Sequence, residues 1–215
     1  CKAARHILFG RSHYELDFVQ AYYSIFATFL TDDFLQKHPL FGNAITARAK
    51  ICADLGHLLK DRTSPPAFAK DFLTRLISIK KVKDFFWWTD RILRVPLHFS
   101  YRQFVTAFYR EKDLILAHLN RLGYIGNPEK LDPERNALTY AIGAVEAKLL
   151  LLCTKALIRA TRPGSIILIG DAVWIDKPIS SELASFVIHE ACRYLGMMPI
   201  PVRISPLGPI AEEIV

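Results

Sequence analysis

The sequence contains few cysteines, and they lie far apart. Cys1, Cys52, Cys153 and Cys192 form no Cys-x-x-Cys pair, and no histidine stands near them at zinc-ligand spacing. This pattern argues against a disulfide scaffold and a structural zinc site. We expect reduced thiols, mostly buried, and an intracellular protein.

Long apolar runs are also absent. No stretch approaches the ~18 apolar residues of a transmembrane helix, and no signal peptide is visible, so we expect no membrane partner. The sequence has no internal repeat and no low-complexity tract. With 51% hydrophobic and 23% charged residues among 215, it has the composition of a globular protein with one or two domains.

Acidic residues are fewer than basic ones. Lysine and arginine total 28 against 21 aspartates and glutamates, a net charge of +7. Such a balance suits nucleic acid or an anionic membrane surface, although many basic domains bind neither. The most basic segment, Ala67 to Trp88, interleaves its cations with aromatic rings. It fits phosphate contacts with base stacking, and it fits equally well a solvated helix face over an ordinary apolar face.

Two short stretches place an aspartate beside apolar segments. Tyr14, Leu16 and Phe18 alternate with polar neighbours, which predicts a strand that carries Asp17 and continues into a helix from Ala21. Residues 165–175 predict a hairpin around Gly170-Asp171. Considered separately, the first aspartate is explained as a helix cap and the second as a common turn residue. Together they suggest two carboxylates that hold divalent metal over the phosphates of a nucleotide, because phosphoryl transfer needs metal ions held by oxygen ligands.

The order of predicted elements is strand, helix, a long helical insertion, hairpin, helix and strand. Without the insertion this is a βαββαβ split arrangement, which predicts an α+β fold with a mostly antiparallel sheet. We expect three segments: residues 1–33 and 134–215 form one domain, and residues 34–133 form the helical insertion. Ser180 or Ser181 is expected to cap the helix that follows the hairpin.

The motif Asp17-Phe18-x-x-x-Tyr22-x-Ser24-Ile25 resembles the first palm motif of template-directed nucleic-acid polymerases. It is closest to the family B form, Asp-Phe-x-Ser-Leu-Tyr-Pro-Ser-Ile, with Gln20, Ala21 and Tyr23 in place of Ser, Leu and Pro. Gly170-Asp171 in its apolar hairpin resembles the third palm motif, without the Asp-Thr-Asp of family B or the preceding His of family A. The order from Asn136 onward is similar to the end of family A palms.

The resemblance implies a polymerase-like palm, a largely helical fingers-like insertion and a role for each matching residue. Asp17 and Asp171 would be the catalytic carboxylates, and with Phe18 they would form a site for two Mg²⁺ ions, for which Mn²⁺ can substitute. The backbone of Phe18, Val19, Gln20 and Ala21 would lie under the incoming triphosphate. Tyr22 matches the position that excludes a ribose 2′-hydroxyl.

The fingers of these enzymes grip the triphosphate with a helix of lysines and arginines, for which residues 66–83 are the best candidate. Neither Arg-x-x-x-Lys-x-x-x-(Phe/Tyr) nor Lys-x-x-x-Asn-x-x-Tyr-Gly occurs there. The candidate nucleotide contacts in this segment are Lys70, Arg75, Lys80 and Lys81. The candidate nucleic-acid contacts are Lys83 and Gly170.

We therefore expect a DNA-directed DNA polymerase that acts on primer-template and deoxynucleoside triphosphates and is continuous with further polymerase domains. The enzymatic alternatives are a reverse transcriptase and a single-subunit RNA polymerase; Tyr22 favours deoxynucleotides. A further alternative is a catalytically inactive, polymerase-derived nucleic-acid-binding domain, which the lack of a second acid beside Asp171 favours. The last is a helical α/β domain with no nucleic-acid role.

Overall fold

In a computed structural model, which describes residues 13–60, 63–125, 137–170 and 172–206, four strands form one antiparallel sheet. The strands are β1 (Tyr14–Phe18), β2 (Ile166–Ile169), β3 (Ala172–Ile175) and β4 (Val202–Pro206). Their order across the sheet is β2-β3-β1-β4, so β1 lies between the hairpin and the last strand. Asp171 lies outside the described residues.

Helices make up most of the rest of the described chain. They are α1 (Ala21–Ala27), α2 (Asp32–Lys37), α3 (Ala44–Leu55), α4 (Pro65–Ser78), α5 (Val82–Ile92), α6 (Phe99–Arg121), α7 (Ala137–Thr161) and α8 (Ser181–Tyr194), with short 3₁₀ helices at Pro39–Gly42 and Gly56–Leu58. Ser180 caps α8 by accepting a hydrogen bond from the Leu183 N–H at 3.1 Å, as predicted. Helices together with an antiparallel sheet confirm the α+β class. None of the described helices has the length and apolarity needed to cross a bilayer.

The chain divides into two compact units. The first contains the described residues of Cys1–Ala21 and Glu146–Val215, and therefore the whole sheet; the second is Tyr22–Val145 and is helical. The assignment of residues 1–33, 34–133 and 134–215 to palm and fingers stays a prediction.

Strand periodicity gives β1 two different faces. Leu16 and Phe18 are buried on one face, and Glu15 and Asp17 point to the other, because successive side chains of a strand alternate. In the same unit, α7 and α8 contribute buried apolar residues, among them Cys153 and Cys192. Both thiols are free, as is that of Cys52, which confirms the expectation for the described cysteines.

Aromatic rings form the core of the helical unit. In one cluster Phe26 stacks on Phe108, with centroids 4.7 Å apart, and Phe41 packs on Phe104 in a tilted arrangement, with centroids 4.0 Å apart. A second cluster joins α4 to α5 through Phe72, whose ring meets the edge of Phe85 at 5.0 Å. Such pairs contribute beyond the area they bury.

Local sequence patterns predict a helix over Phe104 to Leu122 and a last strand over Met198 to Ile204, and both begin at other residues in the structure. The helix, α6, begins at Phe99 rather than Phe104, because His98 occupies the N-cap and its ring nitrogen accepts a hydrogen bond from the Ser100 N–H. The last strand starts at Val202 rather than Met198. Pro199 and Pro201 lack the N–H that a strand donates to its neighbour, which accounts for the later start.

Candidate active site

Asp17 lies near the end of β1, beside the hairpin. In the antiparallel register, Asp17 stands opposite Ala172, the residue that follows Gly170-Asp171 in the sequence. Gly170 has φ of +60°, a left-handed conformation that glycine adopts at low cost. The described backbone therefore brings the strand of the first motif and the hairpin of the second into direct hydrogen-bonded contact.

The face of the sheet that carries Asp17 is polar along β1 and β4, whereas its β3 part carries the buried Ala172 and Trp174. We call Glu15, Asp17, Arg203 and Ser205 the polar face. Glu15 accepts hydrogen bonds from Trp174 Nε1 at 3.1 Å and from the Ser205 hydroxyl at 3.4 Å. These contacts hold the Glu15 carboxylate within the sheet surface and leave Asp17 as the acid nearest the hairpin end of β1.

Asp17 forms an ion pair with Arg203. Arg203 Nη2 lies 2.5 Å from Asp17 Oδ2, and the two residues are opposite one another on β4 and β1. Sequence reasoning did not anticipate this contact, because the two residues are 186 positions apart and only the strand register joins them. The Asp17 side chain keeps 20% of its surface exposed.

The turn after Asp17 contains a strained residue. Gln20 has φ of +50°, a left-handed conformation that costs a non-glycine residue about 1 kcal/mol or more. The Val19 N–H donates to the Pro201 carbonyl at 2.9 Å, which fastens the start of the turn to the segment before β4. The backbone predicted to lie under a triphosphate is thus held in one unusual conformation between β1 and α1.

Tyr22 lies at a pocket of the helical unit. The pocket has a volume of about 310 Å³ and is lined by Tyr22, Thr139, Tyr140, Gly143 and Ala144. Tyr22 is 37% exposed, so it is not part of the hydrophobic core, although its position in the helix would suit a core residue. A Cβ atom at Gly143 would lie 3.1 Å from Tyr22 Oη, which means that glycine permits the close approach of α7 to the ring.

Sequence reasoning missed the four lining residues that α7 contributes, which are Thr139, Tyr140, Gly143 and Ala144. Gly143 lies four residues after Thr139 and three after Tyr140, so these residues share one side of the helix. The available signal was a Thr-Tyr pair followed by glycine.

The predicted triphosphate-gripping segment is two helices rather than one. Residues 66–83 include the end of α4 at Ser78 and the start of α5 at Val82, with Ile79 and Lys81 extended between them. Lys80 and Lys81 therefore lie in the connection, and Lys70 and Lys83 are exposed on different helices. Arg75 pairs with Asp71 at 2.8 Å and covers the Trp88 ring at 4.9 Å. The roles of these cations stay predictions.

A buried lysine lies at the break between α4 and α5. Lys112 of α6 is 4% exposed, and its Nζ donates to the Leu76 carbonyl at 2.9 Å and to the Ile79 carbonyl at 2.6 Å. These carbonyls belong to the end of α4, where helix carbonyls lack partners within the helix. Burial lowers the pKa of Lys112 to about 7. Sequence reasoning missed Lys112, because a lysine in an amphipathic helix is normally placed on the solvent side.

Asp17 provides the type of oxygen ligand that a hard divalent cation prefers. Mg²⁺ takes oxygen ligands and needs only one or two carboxylates when substrate phosphates and water complete its shell. Among the described residues, no group of three or more histidines, cysteines or acids converges on one point. Asp17 supplies one carboxylate, and Asp171 was predicted to supply the second. In comparisons with known proteins, no family model and no curated protein matches this sequence.

Proposed function

We propose that this chain is a template-directed DNA polymerase that extends a primer by two-metal nucleotidyl transfer. The observation that carries the proposal is the register of β1 against β3, which sets Asp17 opposite the residue after Gly170-Asp171. The strand that carries Asp17 thus pairs with the strand that begins directly after Gly170-Asp171. The net charge of +7 gives further support.

In this reaction one bond to phosphorus forms and another breaks. The primer 3′-oxygen forms a bond to the α-phosphorus of the incoming nucleotide, the bond from that phosphorus to the bridging oxygen breaks, and pyrophosphate leaves. The 3′-hydroxyl proton passes to solvent. Bound Mg²⁺ would supply Lewis-acid stabilisation of the reacting oxygens. Asp17 and Asp171 would hold the ions, and the fixed turn at Val19–Gln20 would orient the triphosphate.

The Arg203 ion pair favours a second candidate function. A carboxylate neutralised by a guanidinium has no need of a metal, as expected in a polymerase-derived domain that binds nucleic acid without catalysis. In the catalytic alternative, Arg203 releases Asp17 and pairs with a phosphate oxygen when substrate and metal bind. The affinity of the chain for divalent metal distinguishes the two.

Replacing Arg203 with alanine should raise the affinity of the chain for Mn²⁺ by about tenfold, because the change removes a positive charge in contact with Asp17. Isothermal titration with Mn²⁺ measures the effect. Arg193→Ala is the matched control, since Arg193 is an exposed arginine of the same unit that pairs with Glu190 at 2.7 Å. Failure of both the unmodified chain and Arg203→Ala to bind Mn²⁺ would favour the non-catalytic domain.

Replacing Tyr22 with alanine should shift nucleotide choice toward ribonucleotides by about 100-fold, since a steric contact in a pocket is worth roughly 1–3 kcal/mol. The ring borders the pocket beside Gly143, and its removal leaves space for a 2′-hydroxyl. The measurement is the ratio of incorporation efficiencies for a deoxynucleotide and its ribonucleotide. Tyr194→Ala, an exposed tyrosine on α8, is the control. An unchanged ratio in Tyr22→Ala would remove the assigned role.

A further inference from the structure

An exposed face of the helical unit combines arginines with aromatic rings. On α6, six residues at positions i, i+3, i+4, i+7, i+8 and i+11 line a surface groove of about 450 Å³. They are Phe99, Arg102, Gln103, Thr106, Ala107 and Arg110. This stripe lies opposite the buried side of α6, which carries Phe104 and Phe108.

Two large aromatic rings are exposed on these two helices. Phe99 is 68% exposed at the start of α6, and Trp87 on α5 is 63% exposed. Large apolar rings left in water beside cations mark a binding surface more often than isolated exposed residues do.

The arginines of this face are held over rings. The Arg102 guanidinium lies 4.9 Å from the centroid of Phe86, and that of Arg91 lies 4.4 Å from the centroid of Trp87. Arg102 also approaches Asp90 at 3.5 Å, and Phe86 and Asp90 share one side of α5. Contact with α5 thus presets the guanidinium at the groove, which lowers the entropic cost of binding a ligand.

The positive charge of the arginines favours an anionic partner. We call Phe86, Trp87, Arg91, Phe99, Arg102 and Arg110 the arginine–aromatic surface. Lys60 extends it, because its Nζ donates to the Asp90 carbonyl at 2.8 Å. Arg102 and Arg110 are eight residues apart on α6, about 12 Å along the helix axis, a distance that spans several phosphates of a nucleic-acid strand.

We propose that the arginine–aromatic surface binds single-stranded nucleic acid, with bases stacked on Trp87 and Phe99 and phosphates on Arg91, Arg102 and Arg110. Stacking rings alternating with guanidinium groups are the chemistry that recognises unpaired bases and a phosphate backbone together. A paired duplex hides the base faces that these rings would contact. The choice of nucleic acid as the partner rests on the proposed function. The surface contains none of the residues assigned to nucleotide addition.

Binding of a labelled 20-nucleotide oligothymidine to the full chain, followed by fluorescence anisotropy, tests the proposal. Trp87→Ala with Phe99→Ala should weaken binding by at least about tenfold, because each stacked base contributes about 1–3 kcal/mol. Arg102→Gln with Arg110→Gln should also lower the slope of log K against log salt by about 1.4, or about 0.7 for each phosphate that an arginine no longer neutralises. Phe186→Ala and Arg159→Gln, exposed positions on α8 and α7, are the matched controls.

The outcomes separate this surface from the active site. Asp17→Asn should retain oligothymidine binding, since Asp17 is not part of the arginine–aromatic surface. Weakened binding in the ring variant, with controls unchanged, supports the surface even where the unmodified chain adds no nucleotide. Undiminished binding in the ring variant overturns the surface, whether or not the chain extends a primer. Absence of oligothymidine binding at low salt also overturns it and points to a protein partner.

Discussion

Replacing Asp17 with asparagine should reduce the rate of nucleotide addition by at least about 10³-fold. Asparagine keeps the size of the side chain but lacks the negative charge that would hold a divalent ion. Metal stabilisation of the reacting oxygens is worth several kcal/mol, and each 1.36 kcal/mol is a factor of ten in rate. Single-turnover incorporation of one nucleotide, at saturating primer-template and Mg²⁺, measures the effect without contributions from product release.

The same substitution should change the free energy of unfolding only slightly. It breaks the ion pair with Arg203, whose side chain is 61% exposed, and exposed pairs of this kind contribute about 0–1 kcal/mol. Asp33→Asn is the matched control, because Asp33 forms an exposed ion pair with Lys37 at 2.8 Å. If Asp33→Asn slows addition as much as Asp17→Asn does, the effect is not specific to a metal ligand.

Replacing Lys112 with methionine should destabilise the chain by about 2 kcal/mol at pH 8.5. Methionine retains much of the apolar stem but leaves the Leu76 carbonyl without its donor, and an unsatisfied buried acceptor costs about 1–3 kcal/mol. The Ile79 carbonyl keeps a hydrogen bond from the Tyr109 hydroxyl at 2.9 Å. Chemical denaturation of the full chain measures the difference.

The stability difference should depend on pH with a definite sign. The pKa of Lys112 is lowered from 10.5 to about 7 by burial, so above pH 7 the unfolded chain holds a proton that the folded chain lacks. Stability therefore rises with pH above about 7, by up to about 1.4 kcal/mol per unit. Between pH 6.5 and 8.5 the unmodified chain should gain about 2 kcal/mol relative to Lys112→Met.

The neutral amine of Lys112 suits its surroundings, because it has two N–H groups for the two carbonyls that accept from it. Tyr109 lies beside it, with the ring centroid 4.2 Å from Nζ. Equal pH dependence in the two proteins would show that the amine remains protonated when folded. Lys70→Met, at an exposed position of α4, is the control for removal of a lysine.

Local signals in the sequence were sufficient to predict the sheet and its hairpin. The alternation of Tyr14, Leu16 and Phe18 predicts β1, and Ser180 predicts the start of α8; both elements are present. Residues that are close together in the sequence determine these features, so a single sequence is enough to predict them.

Contacts between distant residues were not predictable in the same way. The pairing of Arg203 with Asp17 depends on a register between strands at opposite ends of the chain. The burial of Lys112 depends on how α6 packs on the end of α4, and the approach of α7 to Tyr22 depends on Gly143. The groups that surround Asp17 and Tyr22 were therefore not predicted from the sequence, and the roles assigned to these two residues stay predictions.

Template-dependent primer extension by the full chain tests the central claim most directly. The assay uses Mg²⁺, one primer on DNA and RNA templates, and each deoxynucleoside triphosphate in turn, for the unmodified chain and for Asp171→Asn. We predict that the unmodified chain adds the nucleotide complementary to the template, and that Asp171→Asn does not. Extension unaffected by Asp171→Asn would contradict the metal assignment, and no extension by a chain that binds primer-template would contradict the catalytic function.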